Sequence, residues 1–221
     1  MKNLPRIFVD SKLSAGAESE LTREQYHYLS HVMRTKKFLA FNGGAEYVAE
    51  LIGGTRFVAG EKTEHADPSG DFVFCFAPVK KTGDVISAAV QMGAAVLQPV
   101  ITERVDAHVN WERMGKIAIE AAEQSGRNSV PELLPPISFA QLDKKDIVFG
   151  NPRATNHGPR TTNRGPRKLF IGPEGGFSDA EVAALEKSGA VGISLGRTVL
   201  RAEVAAAAIC TVWSLKCGVW S

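Results

Sequence analysis

The chain has 221 residues, 44% of them hydrophobic and 23% charged, with a formal net charge of +2. That is the composition of an ordinary globular protein of one large or two small domains, and so weak a charge neither demands nor excludes a nucleic-acid partner. The three cysteines, Cys75, Cys210 and Cys217, form no Cys-x-x-Cys pair, which argues against a disulfide framework or a zinc site. Met1-Lys-Asn-Leu-Pro5 is no secretory leader, and no uncharged apolar run is long enough to span a bilayer. The expectation is a cytoplasmic protein without membrane or metal.

Residues 1–69 read as a small β-rich unit. Arg6-Ile-Phe-Val-Asp10 is a short strand. Thr22 with Gln25 three residues later is a capping box, opening a helix through Tyr26, Leu29, Val32 and Met33. Phe38–Phe41, Glu46–Ile52 and Thr55–Ala59 read as strands, separated by Asn42-Gly43-Gly44 and by Gly53-Gly54, the latter a two-residue hairpin signal. Asp67-Pro-Ser-Gly70 is the linker candidate.

From Asp71 strands alternate with helices. Phe72–Ala77 is a near-continuous apolar run, as expected of a strand buried on both faces. A helix over Thr82–Met92 stops at Gly93, Ala95–Ile101 is the next strand, and Trp111–Gln124 is a helix with Met114, Ile117, Ala118 and Ala121 on one face. Ile147–Phe149 is a further strand. This alternation predicts a parallel sheet with helices on both sides. Between Ile147 and Pro173 there is no acidic residue, whereas Arg153, Arg160, Arg164, Arg167 and Lys168 all fall there. Thr155–Pro166 reads as a basic loop, either a plain solvated linker or a flap near RNA or a cofactor carboxylate.

The stretch Leu169–Ala208 organises the rest. Leu169–Ile171 is a strand closed by Gly172-Pro173, Gly175-Gly176 lets backbone approach a ligand, and Ser178 with Glu181 is a second capping box. The helix it opens stops at Gly189; Val191, Ile193 and Leu195 alternate as a strand; Gly196 breaks it, and an alanine-rich helix runs from Val199. Two glycine turns at the ends of neighbouring strands make the crevice where open α/β sheets bind ligands.

Gly172-Pro-Glu-Gly-Gly-Phe-Ser178 followed by Leu195-Gly-x-x-Val-Leu-Arg-x-Glu203 resembles the RNA (uracil-N3)-methyltransferase family that modifies small-subunit (16S) ribosomal RNA, in the SPOUT superfamily of knotted methyltransferases. Lys116–Glu132, Phe76–Lys81, Gln98–Arg104, Pro5–Phe8 and His27–Arg34 fit the same pattern in the same order, so the likeness spans the chain. The resemblance implies an α/β fold: an N-terminal PUA-like β-barrel over residues 1–69 and a C-terminal domain with a trefoil knot over residues 70–221. It departs from the family at Thr198, where an arginine is usual, at Val204, where a threonine is usual, around Ser87, Ala88 and Gln91, and in a shortened segment between Arg34 and Phe41.

By the same resemblance the cofactor is S-adenosylmethionine, held by Asn151, Ile171, Gly172, Pro173, Glu174, Gly175, Gly176, Leu195, Gly196, Leu200 and Arg201. Glu174 reads as a ribose or sulfonium partner or as a simple turn carboxylate. Arg201 is the candidate for countering charge on the uracil oxygens or the donor carboxylate, and Glu203 is a base or an orienter of Arg201. Arg6, Arg34, Lys80, Lys81, Arg104, Arg127 and Asn128 are candidates for contacting small-subunit ribosomal RNA. SPOUT relatives pair through their knotted domains, so a homodimer is expected. A different RNA such as transfer RNA, or an RNA-binding protein without catalysis, remain open alternatives. His27 and His31 lack the glutamate of a zinc-protease motif, and neither a Rossmann fingerprint nor a P-loop occurs.

Overall fold

The computed structural model describes residues 4–67, 72–106, 110–155 and 168–217. The Pro68–Gly70 part of the linker and residues 156–166 of the basic loop lie outside them. The chain divides into two compact units, residues 1–69 with Ile119–Val130, and Gly70–Ala118 with Pro131–Ser221. The sequence boundary near residue 69 leaves Ile119–Val130 with the second domain, whereas the segment groups with the first unit.

The first unit is built on a five-stranded sheet: β1 (Arg6–Phe8), β2 (Glu18–Glu20), β3 (Lys37–Asn42), β4 (Ala45–Gly53) and β5 (Arg56–Lys62), in the order β1-β3-β4-β5-β2. β1 runs parallel to β3 and the other pairings are antiparallel. The β3–β4 turn is Gly43-Gly44, both at positive φ (58° and 81°), which a two-residue hairpin requires. The second hairpin turns one residue later than its glycine pair suggests, with Gly53 opposite Arg56 in the ladder. Alternation puts Phe38, Ala40, Ala49 and Phe57 on the buried face with Ile7 and Leu29. The Thr22–Gln25 box opens α1 (Arg23–His27), which runs on into a π-helical turn, Tyr28–Val32.

The second unit carries a parallel sheet. Its strands are β6 (Val73–Phe76), β7 (Val96–Ile101), β8 (Glu132–Leu133), β10 (Ile147–Gly150), β11 (Lys168–Ile171) and β12 (Val191–Ile193), in the order β12-β10-β11-β6-β7-β8, with β9 (Ile137–Ser138) also on β7. Phe74 and Phe76 stack on one face of β6, and Cys75 joins Phe149, Phe170, Phe177 and Leu185 on the other. Leu185 belongs to α4 (Asp179–Lys187), so that face is covered. The opposite side holds α2 (Thr82–Gln91) against α5 (Ala202–Cys217), which touches β10 and β11. Helix α3 spans Trp111–Ser125; its residues up to Ala118 group with the second unit and those from Ile119 with the first. Among the described residues no helix is long and apolar enough to cross a membrane.

Candidate active site

Because the strands of the second unit are all parallel, the loops leaving β6, β7, β10, β11 and β12 emerge at one edge of the sheet. They surround a cleft of about 920 Å³, near the upper end of the roughly 300–1,000 Å³ usual for ligand pockets. Every residue assigned to the cofactor from the sequence lines it: Asn151 after β10, Ile171 to Gly176 after β11, and Leu195, Gly196, Leu200 and Arg201 after β12. Glu203, Lys80, Lys81 and Arg104 line it as well.

The turn after β11 shows why its residue types recur in this order. Pro173 O accepts the Gly176 N–H at 2.8 Å, and Gly176 sits at φ 67°, a conformation that favours glycine. The Arg104 side chain lies over Gly175 at ordinary van der Waals distance, and its Nη1 donates to the Gly175 carbonyl at 2.7 Å. Glu174 points its Oε1 at the Lys80 backbone N–H, 3.0 Å away, so its carboxylate ties the β11 turn to the β6 loop. Ser178 Oγ and Glu181 then make the expected capping box on α4.

On the β10 side, buried Asn151 accepts the Arg153 N–H at 3.0 Å through its Oδ1, and Arg153 pairs with Asp179 at 2.7 Å across the cleft wall. That hydrogen bond holds the Asp179 carboxyl below its ordinary range. Its members stand 26 positions apart, too far for any local sequence pattern to join them. Arg201 is exposed and just precedes α5, three residues after the predicted start of that helix at Val199. Neither Arg201 nor Glu203 makes a side-chain hydrogen bond or ion pair with another described residue, so Glu203 does not orient Arg201 in this structure. Thr198 lines the cleft, whereas Val204 does not. Burial pushes the thiols of Cys75 and Cys210 up to about 12, so neither is a nucleophile near neutrality.

The RNA candidates part company. Lys80, Lys81 and Arg104 are exposed at the cleft, and Arg34 is exposed in the first unit at φ 51°. Arg6, Arg127 and Asn128 are instead built into the interior of the first unit. Arg6 pairs with Glu46, their side chains 14% and 4% exposed, and donates to Arg127 O (2.6 Å) and Asn128 Oδ1 (2.9 Å). Arg127 lies 3.7 Å from Asp67, and Asn128 is fully buried and donates to His65 O. Burial lowers both guanidinium pKa values against the raising pull of Asp67. No cluster of three or more His, Cys, Asp or Glu suited to a metal occurs among the described residues.

Sheet, loops and cleft together define an α/β protein with an open cleft at the carboxyl ends of its parallel strands. A family model described as RNA methyltransferase domain matches residues 68–214. The chain belongs to that family. A Rickettsia conorii protein called ribosomal RNA small subunit methyltransferase E is 29% identical over 222 residues, covering 91% of each chain. One of the same name from Synechocystis is 28% identical over 225 residues, 90% of this chain and 74% of the relative. Among solved structures, a putative methyltransferase from Legionella pneumophila with bound SAM superposes with a TM-score of 0.82 at 26% identity, covering 96% of this chain and 98% of that one. A Neisseria gonorrhoeae ribosomal RNA small subunit methyltransferase E matches at a TM-score of 0.85 and 23% identity, covering 96% and 98%, a likeness of fold.

Proposed function

We propose that the protein transfers a methyl group from S-adenosylmethionine to N3 of a uridine in small-subunit ribosomal RNA. The observation that carries this reading is the convergence of three loops, after β10, β11 and β12, on one cleft in a chain of the RNA methyltransferase family. The lining suits the cofactor. A Cβ added at Gly176 or Gly196 would meet no protein atom within 4 Å, so both backbones border open space that a ligand can approach closely. Ile171, Leu195 and Leu200 offer apolar contact, and the Arg201 guanidinium offers a carboxylate partner. The named relatives and the bound SAM of the Legionella structure support the same cofactor and substrate class.

When bound, S-adenosylmethionine supplies an electrophilic methyl carbon for in-line displacement, the bond to uracil N3 forming as the carbon–sulfur bond breaks. The chain's part is positioning and charge. Uracil loses its N3 proton in the reaction, and Arg201 is free to offset the negative charge that develops on the ring oxygens. In this reading Glu203, which lines the cleft together with Glu174 and Asp179, receives the proton. Lys80, Lys81 and Arg104 at the mouth, with Arg34 on the first unit, are the phosphate contacts in this reading.

The five-stranded sheet supports a PUA-like barrel for the N-terminal domain, residues 1–69, and the family resemblance of the glycine-turn motifs implies a knotted domain over 70–221. Val199 (80% exposed) and, on α5, Val204 and Leu215 (69%) leave apolar surface uncovered, which favours a homodimer through this segment. A ribosomal substrate supports a cytoplasmic location. The test is methyl transfer from labelled S-adenosylmethionine to small ribosomal subunits from cells lacking the endogenous enzyme. Nucleoside mass spectrometry should show 3-methyluridine; label confined to transfer RNA, or none at all, would overturn the reading.

A further inference from the structure

Glu181 is an unusual capping-box residue. Such glutamates ordinarily sit at a solvated helix end, yet Glu181 is only 6% exposed. Burying a carboxylate is costly unless its oxygens are hydrogen-bonded, and here both are. Oε2 accepts the Ser178 N–H at 2.9 Å, which completes the box on α4. Oε1 accepts the Glu103 N–H at 2.8 Å, in the loop leaving β7. The next residue is Arg104, whose side chain lies over Gly175 and donates to its carbonyl at 2.7 Å. A continuous series of bonds therefore runs from the α4 cap, through Glu181 and the β7 loop, to Arg104 and the glycine turn of the cleft.

We infer that Glu181 is a positioning residue for the cofactor site: it fixes the β7 loop so that Arg104 holds the Gly175 carbonyl and, with it, the turn that borders the cleft. The chemistry requires a carboxylate and not an amide. Both targets are N–H donors, and a glutamine would satisfy one of them while turning its own NH₂ on the other. Released from Glu181, the β7 loop no longer aims Arg104, and the Gly175 turn loses its outer support while the strands beneath it stay as they are.

This inference rests on the reading of the cleft as the S-adenosylmethionine site. Binding is measured by calorimetry, without RNA, on the full chain, its Glu181→Gln and Arg104→Ala variants and the double variant, each at a temperature well below its own melting. Loss of one hydrogen bond worth about 1.4 kcal/mol, near the top of the usual range, corresponds to a tenfold rise in Kd. The expected result is a rise of about tenfold in each single variant and no further rise in the double, because both act through one turn. A Glu181→Gln variant that melts lower but binds as the parent does would overturn the inference and leave the cleft reading intact. So would single effects that simply multiply. Should Glu181→Gln not fold, unchanged binding by Arg104→Ala, an exposed position, still decides against it. Absence of binding by the unaltered chain overturns the cleft reading, and the inference with it.

Discussion

The first unit and the cleft of the second both gather arginine, and they use it in opposite ways. Arg6 and Arg127 are enclosed with Glu46 and Asp67, their donors directed at carboxylates and carbonyls of the same unit. Around the cleft, Arg201 engages no described side chain and Arg104 is exposed although bonded to Gly175. The lesson concerns cost. A buried guanidinium is tolerated only when it is paired with an opposite charge, so its removal registers as lost stability. An exposed one costs the fold nothing, so its removal should register only where charge appears during function.

The largest expected effect tests the first half of that contrast. Arg6→Ala strands the Glu46 carboxylate in the interior, a change that typically costs about 3–5 kcal/mol. Denaturant unfolding should show that loss, and S-adenosylmethionine affinity of the protein that remains folded should be unchanged. A loss below about 1 kcal/mol would place Arg6 with ordinary surface cations and return it to the RNA-contact candidates.

Arg201→Ala should give the mirror image. Methyl transfer is expected to fall by roughly 10²–10³, the range for removing one charge-stabilising donor. The melting curve should stay within about 0.5 kcal/mol of the parent, as for a surface substitution. A variant that is destabilised yet fully active would reverse the contrast at this position.

None of that division was readable from residue type. Arg6 and Arg127 looked like Arg34 and Arg104 because the acids that enclose them lie far off in sequence: Glu46 is 40 positions from Arg6 and Asp67 is 60 from Arg127. What was legible was local. Both capping boxes, the glycine turns and the apolar strands of the parallel sheet reveal themselves within a few residues, and those same signals brought the cleft residues together. Strands without alternation escaped notice: β2 is Glu18-Ser-Glu20, and β8 and β9 have two residues each. The first helix was expected to run evenly to Met33. Instead the Met33 N–H bonds Tyr28 O, five residues back, and Ser30 Oγ takes the Tyr26 carbonyl, a competition with the α-helical ladder that periodicity does not register.

The two capping boxes repeat the contrast on a smaller scale. Each third residue has a second bond beyond its own helix, and its chemistry matches the target. Gln25 Oε1 accepts the Thr22 N–H while its Nε2 donates to Phe8 O at 2.7 Å, whereas Glu181 meets two donors. Gln25→Glu should therefore keep the box and lose the bond to Phe8, lowering stability by about 1 kcal/mol. It should leave cofactor affinity untouched, unlike Glu181→Gln. Equal effects of both swaps on binding would erase the distinction between a box that serves the fold and one that serves the site.

The smallest effect concerns the carboxylate that joins the enclosed cluster without an ion-pair partner of its own among the described residues. Glu123 accepts the Phe8 N–H at 2.9 Å through Oε1. Burial raises its pKa above the ordinary 4.5, with Glu120 adding to the rise and the Phe8 bond and Arg6 opposing it. A carboxyl whose pKa is higher folded than unfolded binds its proton more tightly in the native state. Its contribution to stability is thus complete below pH 4.5 and is lost as the pH climbs through the raised value. Glutamine keeps the oxygen that Phe8 needs and has no proton to lose. Glu123→Gln should accordingly gain on the parent as pH rises from 4 to 7, by less than the Gln25→Glu effect because the group is only partly buried. Denaturant midpoints at the two pH values measure the difference. Parallel pH profiles for parent and variant would mean that solvent reaches Glu123 as freely as it does the exposed acids.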